Sequence, residues 1–297
     1  MPDSPRPPAA SAARRATDDP YLFLIPAAHL PAGFAERVDD PSLIPAPPRP
    51  AATVVLLRDA EGGPEALLLR RHGRSGFAAG AWVFPGGVVD KEDRSGGLAD
   101  RLDGPTPAEW AARLGMDEPD EAVGYVTAAL REAFEETGIL LARSDGVSPE
   151  PADAAHALEV ARRALLSNVV GLRDVAVGNG LRLRGDALVY IAHWITPEPE
   201  PRRYDTRFFA ARSPEGAECT VHDAEMTDAL WLRPAEAVER FRAGELEMLP
   251  PTVHTLERLA GHASWEALRA AVEAAPVPAI TPRMRRHPEG VAIEVPR

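Results

Sequence analysis

The segment "REAFEETGIL", residues Arg131 to Leu140, places three glutamates on one side of a predicted helix. At 3.6 residues per turn, Glu132, Glu135 and Glu136 face the same way, and like charges three or four positions apart destabilise a helix by about 0.2–0.5 kcal/mol per pair. The opposite side carries a mostly apolar stripe, as expected for a helix that packs on a core. That stripe consists of Val126, Leu130, Ala133, Phe134 and Thr137. The acids therefore need a positive partner.

Composition excludes several classes of protein. The chain has 297 residues, of which 45% are hydrophobic and 26% charged, and this balance is ordinary for a globular protein. The net charge of -12 argues against a nucleic-acid or anionic membrane surface. A single cysteine, Cys219, excludes an intramolecular disulfide, and no stretch approaches the ~20 apolar residues of a membrane span. We therefore predict a cytoplasmic protein without nucleic-acid or membrane partners.

Proline and glycine divide the chain into a folded centre and two tails. Residues 1–20 are rich in Pro, Ala and Ser and have little to bury, so we predict disorder there. Residues 276–297 are Pro-rich and basic and are predicted to be a second tail. We expect one domain over residues 21–275, with an insertion at about residues 94–120.

Strand and helix signals alternate across the folded centre. The predicted strands are residues 51–59, 65–71, 81–87, 187–196, 204–212 and 229–233. The predicted helices are residues 106–115, 120–137, 234–243, 251–260 and 264–274, with a further helix starting at residue 152. Gly138 is expected to end the long helix. Within the insertion, Thr106 as N-cap, Pro107 and Glu109 predict a capped helix that stops at Gly115.

The helix acids have a simple alternative explanation, a solvated face on which Arg131 pairs with Glu135 four positions on. The full string Arg-Glu-x-x-Glu-Glu-x-Gly is harder to explain in this way, because a six-position match arises by chance on the order of once per ten million starts. Upstream, "FPGG" at Phe84 to Gly87 lets backbone carbonyls approach a ligand. Carboxylate and carbonyl oxygens are the ligands of hard divalent cations, and Mg²⁺ combines a few carboxylates with substrate phosphates and water. A metal-dependent phosphoryl reaction is therefore indicated.

With these residues the sequence resembles the Nudix hydrolases, whose pattern is Gly, five residues, Glu, seven residues and Arg-Glu-U-x-Glu-Glu-x-Gly-U, where U is apolar. The resemblance implies an α/β/α sandwich with a mixed sheet, here with an inserted helical segment and extra C-terminal helices. It implies Mg²⁺ or Mn²⁺ as cofactor. The implied site residues are Glu135 and Glu136 as metal ligands, Glu132 as a further ligand or the general base, Arg131 as the group that orients the acids, and the Gly86 carbonyl as a further ligand.

The first half of the pattern departs from the family. Five residues after Gly87 the chain has Asp93 instead of Glu, with Glu92 beside it, so either acid could take that position. About thirty more residues than usual separate this point from Arg131. Inserted boxes of this kind resemble a subgroup related to peroxisomal coenzyme A diphosphatases, as do "GAWVFPGG" and "RRYDTRFFAA".

Two further groups are candidates for the site. Arg70, Arg71, Gly80 and Phe84 match part of a coenzyme A signature, in which Gly76 stands where the signature has Arg. Arg70, Arg71 and Arg74 are candidates to bind the substrate's phosphates, because planar guanidinium groups suit phosphates. The alternative is that these arginines are a solvated strand end. Glu225 precedes a predicted strand, and the resemblance makes it the second candidate for the general base after Glu132. An exposed loop acid is the alternative for Glu225.

The sequence therefore predicts hydrolysis of the pyrophosphate bond in a small-molecule nucleoside diphosphate derivative. Coenzyme A or acyl-CoA, cleaved to 3′,5′-ADP and a phosphopantetheine, is the leading substrate. NADH, ADP-ribose and dinucleoside polyphosphates are the alternatives within the class. A non-catalytic Nudix domain that senses a nucleotide metabolite or scaffolds a partner is the alternative from another class. The resemblance also makes a homodimer one expected state.

Overall fold

The computed structural model describes residues 14–15, 19, 21–73, 78–94, 98–147, 153–222 and 224–297. The strands are β1 (Arg14–Arg15), β2 (Leu22–Pro26), β3 (Arg49–Arg58), β4 (Glu65–Arg71), β5 (Trp82–Val83), β6 (Gly86–Val88), β7 (Ala142–Ser144), β8 (Leu181–Leu183), β9 (Val189–Ile195), β10 (Tyr204–Arg212), β11 (Met226–Leu232), β12 (Ala279–Ile280), β13 (Arg283–His287) and β14 (Gly290–Glu294). The helices are α1 (Phe34–Val38), α2 (Lys91–Arg94), α3 (Pro107–Leu114), α4 (Pro119–Thr137), α5 (Ala154–Leu166), α6 (Leu172–Gly178), α7 (Pro234–Arg242), α8 (Pro250–Leu259) and α9 (Trp265–Ala274).

A mixed sheet forms the centre of the fold, in the order β11-β4-β3-β10-β9-β12. Strands β3 and β10 are parallel, whereas β10 and β9, and β4 and β11, are antiparallel. Strands β3 and β4 pair only where they meet at the hairpin, at Leu57–Ala66 and Arg58–Glu65, and then diverge. Beyond that point β5 pairs with β4 and β6 pairs with β3. The divergence opens a cleft that β6 borders.

Both faces of the central sheet are buried. Alternate strand residues point to opposite sides, so each strand contributes side chains to two cores. On one face, Val54, Leu56 and Phe209 pack with Leu130 and Phe134 of α4. The other face packs against α7, α8 and α9, and its core includes Val55, Leu57, Phe208, Leu256 and Leu268. This arrangement confirms the predicted α/β/α sandwich with a mixed sheet and additional C-terminal helices.

The helix that carries the acids begins and ends as predicted. Helix α4 has Pro119 in its first turn, and Gly138 terminates it in the left-handed region at φ 73°. Within the insertion, the Thr106 side chain accepts a hydrogen bond from the Glu109 amide and the Glu109 side chain returns the contact, so the predicted capping box is present. Trp110 of α3 is fully buried, and this packing makes the insertion an ordered part of the core.

The FPGG strand differs from its prediction. Residues 81–87 were expected to form one short strand ended by Pro85 and the glycine pair. Strand β5 does end before Pro85, but the two glycines begin a second short strand, β6. Pro85 cannot donate a backbone hydrogen bond, and the chain changes partner there from β4 to β3.

The C-terminal segment also differs from its prediction. Residues 276–297 were expected to be a Pro-rich tail, but they form β12 and the β13–β14 hairpin. Strand β14 pairs with β2, so both ends of the described chain share one sheet in the order β1-β2-β14-β13. Burial on both faces explains this folding, because Val291, Ala292 and Ile293 are all buried. The disorder predicted for residues 1–20 falls almost entirely outside the described residues. No helix within the described ranges is long and apolar enough to span a bilayer.

Candidate active site

Arg131 is the positive partner of the helix acids. Its Nη1 donates to Glu132 Oε1 at 2.8 Å and to Glu135 Oε2 at 2.7 Å. Its Nη2 donates to Asp93 Oδ2 at 3.0 Å and to the Val88 carbonyl at 2.9 Å. The guanidinium is largely buried, so these contacts are weakly screened. The Nη2 atom also lies 3.7 Å from Asp90 Oδ2, so one arginine contacts two acids of α4 and two acids from before the insertion.

Glu136 has a different environment. Its carboxylate is 3% exposed, and the hydrogen bond described for it comes from the Gly86 amide to Oε2 at 3.1 Å. Burial raises the pKa of Glu136 well above its ordinary value, and the nearby Glu132 raises it further. Burial also raises the pKa of Glu132, to about 7, against the opposing effect of Arg131. The site therefore holds more buried negative charge than its arginine neutralises.

Of the two acids before the insertion, Asp93 is the one that reaches Arg131. It is buried, and in addition to the arginine contacts its Oδ2 accepts a hydrogen bond from the Asp90 amide at 2.9 Å. Burial raises the pKa of Asp93, and Arg131 opposes that rise. Glu92, the neighbouring residue in α2, is exposed. The contact with Arg131 therefore favours Asp93 over Glu92 as the first acid of the pattern.

The glycines of β6 allow the strand to lie against the acids. A Cβ atom at Gly87 would overlap the carboxylate of Glu132, and a Cβ atom at Gly86 would meet the Ala52 carbonyl at 2.6 Å and the Thr53 Oγ1 at 2.7 Å. Real Cβ atoms essentially never come this close to another atom. At Gly86 the atoms met include backbone, so only glycine fits there, whereas at Gly87 a side chain would push the Glu132 carboxylate aside.

The Gly87→Ala substitution is expected to lower kcat/KM by about 10²-fold, because it displaces the Glu132 carboxylate by about an ångström. The thermal unfolding midpoint should stay near that of the wild type, since Glu132 can swing away from the added methyl group. Gly73→Ala is a matched control, because no atom of the described residues lies within 4 Å of a Cβ built there. Equal activity of both variants in a steady-state assay would contradict the close packing of β6 on Glu132.

A loop after β10 brings Glu225 to the same place. The amides of Thr220 and His222 donate to the carbonyls of Thr137 and Glu136, at 2.8 and 3.2 Å, so the loop is attached to the C-terminal end of α4. Glu225 lines the cleft, and its charge raises the pKa of Glu136. The neighbouring residue 223 lies outside the described residues.

The predicted arginines Arg70 and Arg71 point to opposite faces of strand β4. Arg71 lines the cleft, and its charge lowers the pKa of Glu136. Arg70 is half exposed, and its Nη1 lies 3.7 Å from Asp228 Oδ2 on the neighbouring strand β11. Successive strand residues point to opposite faces, so these two arginines do not act as a pair. Phe84 lines the cleft and is buried, whereas Arg74 falls outside the described residues.

Arg162 is a residue of the site that sequence reasoning missed. Its guanidinium is buried, donates from Nε and Nη2 to the Glu135 carbonyl at 3.1 and 2.8 Å, and donates from Nη2 to the Thr220 carbonyl at 2.7 Å. It therefore joins the end of α4 to the loop that leads to Glu225. Arg162 lies three positions before the buried Leu165, and an arginine on the buried side of a helix is the signal that could have found it.

The acids of α4 lie on the wall of a large cavity of about 1480 Å³. It contains the acids of α4, the glycines of β6, Arg71 and Glu225, and it extends to residues from both ends of the chain. Ligand pockets for drug-sized molecules are about 300–1,000 Å³, so the cavity can hold a larger molecule. The acids lie along its wall, within reach of a bound substrate.

The donor chemistry of the cluster fits a divalent cation. All its candidate donors are oxygens, which hard cations such as Mg²⁺ and Mn²⁺ prefer, and Glu136 is a buried carboxylate whose described hydrogen bond comes from a neutral amide. As the side chains stand, no three His, Cys, Asp or Glu in the described ranges form a group ready to hold a metal. Arg131 explains this, because it draws Glu132 and Glu135 toward itself.

Without bound metal, the protein is expected to become less stable as pH rises from about 5 to about 8. The pKa of Glu132 is raised from 4.5 to about 7 in the folded state. Its stabilising protonation is therefore complete below the unfolded pKa and is lost as pH rises through the folded one. Urea unfolding in EDTA across this range measures the effect. Glu132→Gln should flatten the profile, and a wild-type stability that rises toward pH 8 would contradict the expectation.

The fold and this cluster define the class of protein, the Nudix hydrolases. A NUDIX domain model matches residues 47–159. The crystal structure of a NUDIX hydrolase from Alicyclobacillus acidocaldarius is similar, with a TM-score of 0.62 and 29% identity, covering 78% of this chain and 99% of that one. The chain is thus a Nudix pyrophosphohydrolase.

More narrowly, the chain belongs to the NUDT19 Nudix domain family, whose model matches residues 107–259. It is 32% identical over 265 residues to acyl-coenzyme A diphosphatase NUDT19 of Gallus gallus, an alignment that covers 74% of this chain and 70% of that protein. The protein of the same name from Homo sapiens is 32% identical over 247 residues, covering 68% of this chain and 62% of that protein. The family predicted from the sequence is confirmed.

Proposed function

We propose that this protein hydrolyses the pyrophosphate bond of coenzyme A or an acyl-CoA, with Mg²⁺ or Mn²⁺ bound at the acids of α4. The observation that carries the proposal is the cluster of Glu132 and Glu136, which are buried, with the partly buried Glu135, on the wall of a cavity of about 1480 Å³. The names of the chicken and human relatives supply the substrate class. NADH, ADP-ribose and dinucleoside polyphosphates remain the alternative substrates.

Each acid has a role that its surroundings favour. Glu135 and Glu136, with the Gly86 carbonyl, are proposed to hold the metal, and Glu132 is either a further ligand or the general base. When bound, the metal polarises a phosphoryl oxygen and lowers the pKa of a coordinated water. Arg131 orients the acids, and Asp93, which anchors Arg131 from the other side, is proposed as a positioning residue.

The proton of the attacking water needs a base near neutral pH. Glu132 is the first candidate, because it lines the cavity beside the proposed metal ligands Glu135 and Glu136. Glu225 is the second candidate, since it lines the same cavity. The water oxygen bonds to one phosphorus as the bond from that phosphorus to the bridging oxygen breaks. The bridging oxygen leaves on the other phosphate, and the products are 3′,5′-ADP and a phosphopantetheine.

Arg71 is proposed to bind the substrate's phosphates. It lines the cavity, and it is close enough to Glu136 to lower the pKa of that carboxyl group. Its planar guanidinium can donate two hydrogen bonds to one phosphate. Phe84 is proposed to contact the substrate from the cavity wall, whereas Arg70 faces Asp228 and is a weaker candidate.

A hydrolysis screen tests the proposal. CoA, octanoyl-CoA, NADH, ADP-ribose and diadenosine tetraphosphate would each be incubated with Mg²⁺, Mn²⁺ or EDTA, and the products separated by chromatography. We expect cleavage of CoA and octanoyl-CoA to 3′,5′-ADP, with no reaction in EDTA. Exclusive cleavage of NADH would overturn the assignment of CoA or acyl-CoA as the substrate. Thermal stabilisation by CoA without any cleavage would favour the sensor alternative over the enzyme.

Residues 21–297 are proposed to act as one unit. The pairing of β2 with β14 joins the two ends of the described chain through a continuous ladder from Leu22 to Pro26. A homodimer and a cytoplasmic location stay predictions of the sequence. Sedimentation analysis of the full chain would decide the first of these.

A further inference from the structure

The C-terminal end of α4 is fixed through its last carbonyl groups. The last four carbonyls of a helix have no partner within the regular hydrogen-bond pattern. In α4, the Phe134 carbonyl accepts a hydrogen bond from the Gly138 amide at 2.9 Å, which closes the cap. The carbonyls of Glu135, Glu136 and Thr137 accept instead from residues distant in sequence. Other parts of the chain therefore hold the end of the helix that carries the acids.

Arg162 of α5 supplies one of these contacts and a positive charge. Its Nε and Nη2 donate to the Glu135 carbonyl at 3.1 and 2.8 Å, and its Nη1 lies 3.9 Å from Glu159 Oε2 in its own helix. Within the described helix α4, the last turn contains no basic residue. A helix C-terminus carries a partial negative charge that a nearby cation stabilises. Arg162, which is 5% exposed, thus provides the cation that α4 lacks at this end.

The same guanidinium holds the loop that leads to Glu225. Its Nη2 also donates to the Thr220 carbonyl at 2.7 Å, and the Thr220 amide donates to the Thr137 carbonyl at 2.8 Å. Both backbone polar groups of Thr220 are therefore bound. Gly138 allows this close approach, because a Cβ atom there would lie 2.7 Å from Thr220 Oγ1 and 3.2 Å from Arg162 Nη1.

The loop reaches Glu225 through a tight turn. The His222 amide donates to the Glu136 carbonyl at 3.2 Å, and the His222 carbonyl accepts a hydrogen bond from the Glu225 amide at 3.0 Å. The Glu225 carbonyl accepts a hydrogen bond from the His72 amide at 2.8 Å, next to the end of β4. The Glu225 side chain lines the cavity. A series of backbone hydrogen bonds thus connects Arg162 to this acid.

We propose that Arg162 is a positioning residue that sets where the Glu225 carboxylate lies relative to the acids of α4. This inference rests on the proposed function, because it takes the acids as the groups that act on a bound diphosphate. Arg162 does not line the cavity, so it acts through the backbone carbonyls of Glu135 and Thr220. A planar guanidinium suits this role, because it donates to two carbonyls in fixed directions. Without it, the loop can shift away from the helix and move Glu225.

A double-mutant cycle in the full chain tests the proposal, with kcat measured at saturating substrate and Mg²⁺. Arg162→Met removes the guanidinium, Glu225→Gln removes the carboxylate charge, and a third variant combines the two. Arg162→Lys keeps the positive charge but not the planar group. Arg163→Met is the matched control, because the Arg163 side chain is 76% exposed and pairs with Glu159 on the surface of the same helix. Thermal unfolding would fix an assay temperature at which every variant is folded.

Arg162→Met should lower kcat by about 10²-fold and change KM by less than about threefold, because a displaced group costs turnover more than binding. Glu225→Gln alone should lower kcat by a similar factor. Arg162→Lys should lower kcat by about tenfold, since an ammonium group cannot reproduce both contacts. In the Glu225→Gln background, either Arg162 substitution should lower kcat by less than about threefold, because the group that Arg162 positions is already lost. Arg163→Met should leave kcat unchanged.

An equal loss of kcat in both backgrounds would overturn the proposal, because a residue that only stabilises the fold affects both alike. Unchanged kcat in folded Arg162→Met would also overturn it. If Arg162→Met does not fold, the cycle with Arg162→Lys decides in the same way. The cycle uses a diphosphate that the wild type cleaves, so a wild type that cleaves only NADH would overturn the proposed substrate while the role of Arg162 is still decided. A wild type that cleaves no diphosphate in the screen would overturn the proposed function and the positioning role together.

Discussion

Glu136→Gln is expected to lower kcat by about 10³-fold, which corresponds to about 4 kcal/mol of transition-state stabilisation. The glutamine keeps the size of the side chain and can still accept the hydrogen bond from the Gly86 amide. It loses the negative charge that a metal ligand needs at this buried position. The effect should therefore lie in kcat, measured with CoA at saturating Mg²⁺.

The same substitution should leave the fold intact. Glu136 is buried with a pKa raised well above its ordinary value, so its charge destabilises the protein when no metal is bound. In EDTA at about pH 8, Glu136→Gln should consequently unfold at a higher temperature than the wild type. Glu239→Gln, on an exposed side chain of α7 that does not line the cavity, is the control and should retain both activity and stability. Near-normal turnover of Glu136→Gln would remove this carboxylate from the metal site.

Arg131→Met should lower the free energy of unfolding by about 3–5 kcal/mol, as expected when one partner of a buried ion pair is removed. Three largely buried carboxylates would lose their cation, Asp93, Glu132 and Glu135, and so would the more exposed Asp90. The loss should be smaller at about pH 5 than at about pH 8, because carboxylates with raised pKa values take up protons at the lower pH. Urea unfolding at both values measures the difference.

A double-mutant cycle separates the arginine pair from general damage. Arg131 and Asp93 contact each other, so the combined effect of Arg131→Met and Asp93→Asn should be clearly less than the sum of the single effects. Arg70→Met is the matched control, since its pair with Asp228 is exposed and 3.7 Å long, and it should change stability by about 0.5 kcal/mol or less. Additive losses in the Arg131 cycle would show that Asp93 does not anchor the arginine.

The local parts of the site could be predicted from the sequence. The acid face and apolar stripe of α4 follow from helical period, its end follows from Gly138, and the capping box at Thr106 needs only neighbours three positions apart. Each of these features depends on residues within a few turns of one another. Periodicity and capping chemistry report such features directly.

The parts that were missed depend on contacts distant in sequence. The choice of Asp93 over Glu92 depends on how the insertion returns the chain to Arg131, 38 positions later. Arg162 meets the Thr220 carbonyl across 58 positions, and β2 meets β14 across the whole length of the chain. The prolines of the C-terminal segment indicated a tail, but the pairing of β14 with a distant strand outweighed that local signal.

The long insertion has a small effect on the entropy of assembling the catalytic motif. Closing a loop costs about 0.6 kcal/mol for each doubling of its length. Lengthening the connection from Asp93 to Arg131 from about eight positions to 38 is therefore an entropic change of only about 1.4 kcal/mol. The buried Trp110 of α3, whose ring meets that of Phe209 edge-on with centroids 6.0 Å apart, can offset this loss by itself. Because this cost rises so slowly, the ion pair between Asp93 and Arg131 can form across connections of very different length. The motif can therefore accept insertions at this one point without losing its assembled geometry.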